Sequence, residues 1–538
     1  MTKTLIIPGR SGARVPGWQE AILALLIAAG GGAAAAETAS ASPFEGGPAR
    51  PRNRIDELVF ARLAELKIEP ARDCSDAVFV RRAFLDLTGT LPTAKEATHF
   101  IDDPSADKRA RLIDALLERE EYADYWAMKW CDLLRVKAEF PVNLWPNGVQ
   151  AYHRWIRDAL KNNMPYDQFV RALLTTSGSN FRDPPVNFFR SAQGGDPVAV
   201  AQMVAQTWMG MRPDKMPKET VAGLAAFFTQ VAFKGTGEWK ESILYFDPGR
   251  VCTNPAVAAK PVFPDGRPAR IPPSQDPRLV FADWLISPEN PWFTRAIVNR
   301  AWSWLLGRGI IHEPDDIRDD NPPSNPALLA HLQREFAAGR YDMKRLFRHI
   351  MNSQTYQFSS IPQTEHPQAA AQFAYYPLRR LEAEVLIDAL CMITGTTEAY
   401  ESPIPEPFTF VPKTVRSVQL PDGSISSPFL ELFGRPPRDT GLESERSNRV
   451  TADQRLHLLN SSHIRRKIEQ GPRLASLRSL KDPADMLERV YLTILSRRPT
   501  AEEAARARAY IQQAGRIREA GIDIVWALTN SSEFLFRH

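Results

Sequence analysis

The chain has 538 residues, enough for two to four domains and a large core. Hydrophobic residues make up 43% and charged residues 24%, which excludes both a disordered acidic or basic chain and a membrane-embedded bundle. A formal charge of +4, with the arginines scattered instead of striped, excludes a nucleic-acid footprint.

The N-terminus reads as an export signal. Lys3, Arg10 and Arg14 form a basic start, Ala21–Ala29 a short apolar run, and small residues follow as far as a cleavage point after Ala36. Nine apolar residues are too few to span a bilayer core, which needs about 20. The competing reading is an uncleaved anchor. Removing residues 1–36 leaves 64 basic against 62 acidic residues, a balance of +2. The mature chain is therefore expected in the periplasm or at the cell surface, with no transmembrane helix. Cys74, Cys131, Cys252 and Cys391 are widely spaced and form no C-x-x-C, which argues against a zinc knuckle. Export permits disulfides, buried free thiols are the alternative, and spacing does not choose between them.

Residues 37–53 read as a flexible lead-in. An N-terminal helical domain is expected over 54–245. Ile55, Leu58, Val59, Leu63 and Leu66 share one face, and Val78–Leu87 forms a second helix. Thr93 and Glu96 have the spacing of a capping box. Helices follow over Lys108–Leu117 and Tyr122–Val136, the latter with a core-facing stripe of Tyr122, Tyr125, Trp126 and Trp130. Further helices are expected over Gly148–Asn162, Tyr166–Thr175, Val198–Met209 and Glu219–Phe233, with short strands near Ile243–Tyr245 and Val262. Residues 246–277 are rich in proline and read as a linker.

A second helical domain, 278–538, carries a Pro-rich excursion at 401–440. In its first part Ile297, Ala301, Trp304 and Leu305 share a face, and Gly307 and Gly309 end that helix. Leu378–Thr394 reads as one long helix, and helical signal returns from Ser447. Internal echoes suggest related helical hairpins. Arg81–Ile101 resembles Glu488–Ile511, and Asp167, Asp342 and Asp523 recur at equivalent places, where they read as N-caps. The fold class is mainly α, with few strands.

Two polar segments stand out. The turn His312–Pro326 holds Asp315, Asp316, Asp319 and Asp320 with Arg318 and Asn321. Its oxygens would suit Ca²⁺, although the EF-hand order is missing. The preferred reading is that Asp315 and Asp316 cap turns and pair with Arg308 or Arg318, with Arg300 making a further charge-assisted pair. The other segment, Gly434–Arg449, offers Arg435, Glu443, Glu445 and Arg446. It could line a cleft for a sulfated or uronic sugar, or fasten the loop through ion pairs, which is preferred. Glu382 and Glu384 are two residues apart and point different ways, so no glycosidase pair is assigned. There is no H-E-x-x-H, no G-x-S-x-G and no Gly-rich phosphate loop.

Several stretches together resemble a known family. FLDLTGTLPT, PVNFFR and GLAAFF are similar to the N-terminal half of the planctomycete cytochrome-associated proteins of unknown function, of the PSCyt type. DDIRDDNPPSNPALL, RRLEAEVLIDAL, FGRPPRD and ERSNRVTADQRLHLLN resemble the PSD-type half that accompanies it. The resemblance implies an exported protein, often placed beside sulfatase-like or cytochrome-like partners. Relatives often carry C-x-x-C-H before the segment matching GLAAFF. Here that place reads MGMRPDKMPKETVAGLAAFF, with no cysteine or histidine. Covalent haem needs two thiols and a histidine, so no haem or other cofactor is expected.

The expected function is binding or assembly outside the cytoplasm, with protein or polysaccharide partners. The alternative is a hydrolase of carbohydrate or sulfate ester. That alternative requires the Asp315/Asp316 turn and the Glu443–Arg446 segment to share one concave pocket. The binding reading expects them apart or locked in ion pairs, beside an exposed aromatic or apolar patch. An electron carrier is the third and least supported reading.

Overall fold

Short polar side chains set most of the helix starts, because their oxygens accept first-turn amides that have no carbonyl partner. The computed structural model describes Ser42–His538, apart from Gln193, Gly194, Ser479 and Lys481. The expected leader, 1–36, and the first residues of the lead-in lie outside the described residues. Asn53 opens α1 (Arg54–Glu65), Ser75 opens α2 (Asp76–Thr88) and Thr93 opens α3 (Ala94–Asp102). The Thr93 box is reciprocal: Thr93 Oγ accepts from the Glu96 amide at 3.2 Å, and Glu96 accepts from the Thr93 amide at 2.8 Å. Then come α4 (Lys108–Leu117), α5 (Glu120–Leu133), α6 (Pro146–Lys161), α7 (Tyr166–Thr175), the single turn α8 (Asn187–Arg190), α9 (Pro197–Met209) and α10 (Lys218–Ala225).

The second half continues with α11 (Pro277–Ile286), α12 (Phe293–Leu306), α13 (Pro326–Ala338), α14 (Met343–Met351), α15 (Ala383–Thr394) and the short α16 (Pro428–Leu432). It closes with α17 (Ala452–Asn460), α18 (Ser462–Gln470), α19 (Pro472–Arg478), α20 (Pro483–Leu495), α21 (Ala501–Ala514), α22 (Ile517–Thr529) and the terminal turn α23 (Ser532–Leu535). Helix dominates, and the strands are few and short.

Two expected helices are shorter than their patterns. The segment read as Glu219–Phe233 leaves the helix after Ala225, turns once through Phe228 and becomes a strand. Gly178–Ser179 (β1), Val231–Gly235 (β2) and Ser242–Phe246 (β3) form an antiparallel sheet in the order β1-β3-β2, with Val231 opposite Phe246. Val231 and Phe233 are β-branched and aromatic, and the pairing outweighs the helical pattern. The segment read as Leu378–Thr394 is also split. Arg379–Arg380 (β4) pairs antiparallel with Phe536–Arg537 (β5) at the C-terminus. Glu382 is extended at φ −58°, ψ 152°, and α15 starts only after it. The recurring aspartates also differ. Asp342 caps α14 through the Arg345 amide, Asp167 lies inside the first turn of α7 with no capping bond, and Asp523 sits mid-helix and accepts from the Tyr510 hydroxyl at 2.6 Å.

Residues Pro43–His538 make one compact unit. Its core is aromatic where the two halves meet. Trp126 and Trp130 of α5 pack on Trp304 of α12 at 5.2 and 6.0 Å between ring centroids, and Trp130 reaches Trp208 of α9 at 6.1 Å. The stripe on α5 is thus core, as its spacing predicts. The Pro-rich stretch lies against α10: the amides of Ala258 and Val262 donate to the carbonyls of Ala222 and Gly223. The end of the lead-in is tied down as well, with Gly46 and Asp73 paired through their backbones and the Ser75 hydroxyl bonded to the Pro43 carbonyl. All four cysteines are free thiols. Among the described residues no helix is long and apolar enough to cross a membrane.

Candidate functional site

The acidic turn is shaped by the helix before it. Gly307 ends α12 with φ +74°, a conformation that L side chains rarely adopt. Asn299 then clamps the turn back along α12, exchanging two 2.9 Å hydrogen bonds with the Ile311 backbone. This brings Asp315 onto Arg300, with Nη2 to Oδ1 at 2.6 Å, and both side chains are buried. Arg300 also donates to the backbone carbonyls of Gln206 and Thr207. The other oxygen of Asp315 accepts the Glu443 amide at 2.7 Å, and the Glu443 carboxylate accepts from Trp304 Nε1 at 2.6 Å. Two segments about 130 positions apart therefore meet, with Asp315 buried and Glu443 half-buried. Burial and the neighbouring Asp315 push the Glu443 carboxyl up, against the pull of Lys129 and Arg300.

The remaining residues of the cluster fall into separate groups. Asp316 is buried as well but pairs elsewhere, with Arg318 at 2.8 Å and Lys215 at 2.7 Å. Asn321 holds the turn by donating to the carbonyls of Asp316 and His312. Glu445 accepts the Asp439 amide at 2.8 Å and so braces its own loop. Arg446 bridges Glu384 and Asp132, at 2.6 Å to each. Arg438 joins Asp132 at 2.9 Å, and Arg435 lies 3.4 Å from Glu384. Glu382 belongs to a neighbouring set, with Lys129 at 2.7 Å and Arg537 at 2.6 Å. Arg537 continues to Asp86 at 2.8 Å. Glu382 and Glu384 thus point to different partners. Burial alone would raise the Glu384 carboxyl, but Arg446 and Arg435 overturn this and hold it low. Arg537 and Lys129 do the same for Glu382. Acids held ionised in this way serve as anchors, since a general acid needs the opposite shift.

An open groove lies beside this interior, and sequence reasoning missed it. Its volume is about 360 Å³, and its lining includes Lys137, Glu139, Phe140, Ser424, Ser426 and Arg435. Arg435 is the one member of the predicted cluster that reaches it. The loop after α5 is pinned to the excursion by the Ala138 amide on Asp422 and the Glu139 amide on Ser424 Oγ. That loop carries Phe140, which is 75% exposed. At its end Trp145 packs on Phe408 at 5.4 Å. Lys240 Nζ sits 5.5 Å from the Trp145 ring and 5.3 Å from that of Trp239. Trp239 is 68% exposed, Phe410 69% and Phe408 50%. A sequence signal existed: these rings flank prolines, as in Phe140-Pro141, Trp145-Pro146 and Pro407-Phe408. Aromatic residues in segments without helical or strand periodicity have no core face to occupy.

Fold and site together define a mainly helical scaffold with an ion-paired interior and a surface groove that Phe140 lines. The chain belongs to the family that joins a PSCyt2 region, a protein of unknown function (DUF1549), to a PSD1 region, a protein of unknown function (DUF1553). The first matches residues 54–225 and the second residues 277–511. No curated protein matches the chain, and no solved structure does.

Proposed function

We propose that this is an exported binding protein whose aromatic groove takes a polysaccharide chain outside the cytoplasm. The carrying observation is the exposed Phe140 ring in a groove with a polar lining, together with an aromatic set at the end of the same loop, where half-buried Trp145 packs on exposed Phe408 and shares Lys240 with exposed Trp239. Sugar rings present C–H faces that stack on aromatic rings, while their hydroxyls need donors and acceptors alongside. Glu139, Ser424, Ser426 and Lys137 supply these. Large aromatic side chains left in water carry an unsatisfied hydrophobic cost that a ligand removes. Export rests on the leader, and the carbohydrate setting also agrees with the sulfatase-like neighbours that the family resemblance implies. The ion pairing of Asp315 with Arg300 and of Glu384 with Arg446 weighs against the hydrolase reading, because both carboxylates are buried against their arginines.

The test is affinity electrophoresis and calorimetry of the mature chain against neutral, uronic and sulfated polysaccharides. At least one should retard the protein, and Trp239→Ala or Phe408→Ala should weaken that retardation tenfold or more. Retardation by no polysaccharide, or retardation that these variants leave unchanged, would refute the reading. Release of reducing ends or sulfate would revive the hydrolase.

A further inference from the structure

The hairpin of α13 and α14 carries a feature remote in sequence from the groove. His331 on α13 and His349 on α14 face each other with their Nε2 atoms 3.2 Å apart and their ring planes at 61°. Both rings are half-buried. The turn between the helices is fixed by the Tyr341 amide on the Phe336 carbonyl and by the Asp342 cap. One helical turn beyond His331 stands Glu335, and one turn before His349 stands Arg345. Their contact is long, 3.7 Å, and the Glu335 side chain is 44% exposed.

We propose that His331, His349 and Glu335 form a binding site for a divalent transition-metal ion of zinc's class, with water completing the shell. Two nitrogen ligands of a tetrahedral zinc, bonded at about 2.0–2.1 Å, stand roughly 3.3 Å from each other. The two imidazoles already have that separation. As placed, no three His, Cys, Asp or Glu side chains among the described residues converge to hold a metal. The third ligand is therefore recruited, and we assign it to Glu335, four residues on from His331 on the same helix face and held only by its long contact with Arg345. A carboxylate with two imidazoles suits zinc and its neighbours in the first transition row.

The surroundings favour neutral rings, which is the ligating form. Burial pulls His331 down, helped by His349, Arg334 and Arg54 and opposed by Glu335. Burial likewise pulls His349 down, with Arg345 adding to it and Glu335 and Asp56 opposing. The same cations weaken affinity for a metal, so binding in the micromolar range is expected, not the tighter binding of a structural zinc. The chain's other histidine pair makes a useful contrast. His457 and His463 are 3.4 Å apart, but Glu398 engages His463 Nε2 at 2.7 Å, and Lys467 lies on the same carboxylate at 3.1 Å. There the neighbouring carboxylate is already engaged by an imidazole and an ammonium, so it is not free to serve as a third ligand.

The untagged full chain is titrated calorimetrically with Zn²⁺ alone, and Co²⁺ is followed by its visible absorption. One saturable equivalent is expected, with a rise in Tm on adding Zn²⁺. His331→Ala and His349→Ala should each weaken binding at least 30-fold, and Glu335→Gln about tenfold. His457→Ala should leave binding unchanged. Glu335→Lys, at an exposed position, places an ammonium at the site and should abolish binding without altering either histidine. No saturable binding, or binding unaffected by Glu335→Lys and His349→Ala, would overturn the proposal.

Discussion

Two regions of the molecule handle polar and aromatic residues in opposite ways. Around α5 and α15, Asp132, Glu384, Arg438 and Arg446 are drawn inside and bonded to one another. At the surface, Phe140 in the groove and Phe408 and Trp239 outside its lining are left in water, although α5 buries its own tryptophans almost completely. The densest charge in the sequence is therefore structural, and the exposed rings are what remains for recognition. Residue type alone points the other way, since charge suggests a site and aromatics suggest a core. What separates the two roles is whether each group has found its partner inside the fold.

The comparison breaks most sharply at Glu384. Glu384→Ala leaves Arg446 and Arg435 without their shared carboxylate, and Arg446→Ala leaves two buried acids short of a cation. Removing one member of a buried pair typically costs about 3–5 kcal/mol. Urea unfolding should show that loss in either variant. A loss below about 1 kcal/mol would place these pairs with ordinary surface bridges.

Asp388 sharpens the picture through pH. Burial raises its carboxyl to about 7, although the amides of Ser417 and Val418 and the Arg416 charge pull it back. A carboxyl whose folded pKa lies above its unfolded one binds more protons when folded. Its contribution is complete below about pH 4 and is lost as pH rises to about 7, a change on the order of a few kcal/mol. Glu384 and Asp132 behave oppositely. Their folded values are depressed, so their contribution is full above the unfolded value and falls as pH drops below it. Asp388→Asn should flatten the loss of stability between pH 4 and 7 while leaving the acid limb in place. An unchanged slope in that window would assign it to other groups.

Much of the helical framework was legible because its signals are local. Tyr166–Thr175 and Lys108–Leu117 fall where periodicity puts them, and the Thr93 capping box closes as its spacing predicts. The larger failures are long-range. Arg379–Arg380 is a strand because the C-terminus reaches it from more than 150 residues away, and no local pattern carries that information. The meeting of Asp315 with Glu443 was conceivable from composition, but its burial depended on α12 and α9 closing around it. The groove was illegible because its parts come from the segments near 140, 403, 424 and 435, brought together by tertiary packing.

Thr93 offers an intermediate case between the interior and the groove, at a solvent-facing helix start. Thr93→Ala removes the acceptor for the Glu96 amide, while Glu96 keeps its bond to the residue-93 amide. The expected cost is about 1 kcal/mol. A loss as large as that at Glu384 would mean that α3 docks less independently than its exposed cap suggests.

The smallest expected effect on stability belongs to the groove. Trp239 touches Lys240 and little else in the interior, so Trp239→Ala removes a ring that folding never took out of water. Its unfolding free energy should stay within about 0.5 kcal/mol of the parent. If the groove is the binding surface, the same substitution abolishes most polysaccharide retention. This separation of stability from binding is what distinguishes a recognition residue from a packing residue. A large stability loss on removing Trp239 would show the ring to be packed against the fold after all, and its exposure would then carry no argument about ligands. Phe140→Ala and Phe408→Ala grade the test, because Phe408 also packs on Trp145 and should cost slightly more stability than Phe140.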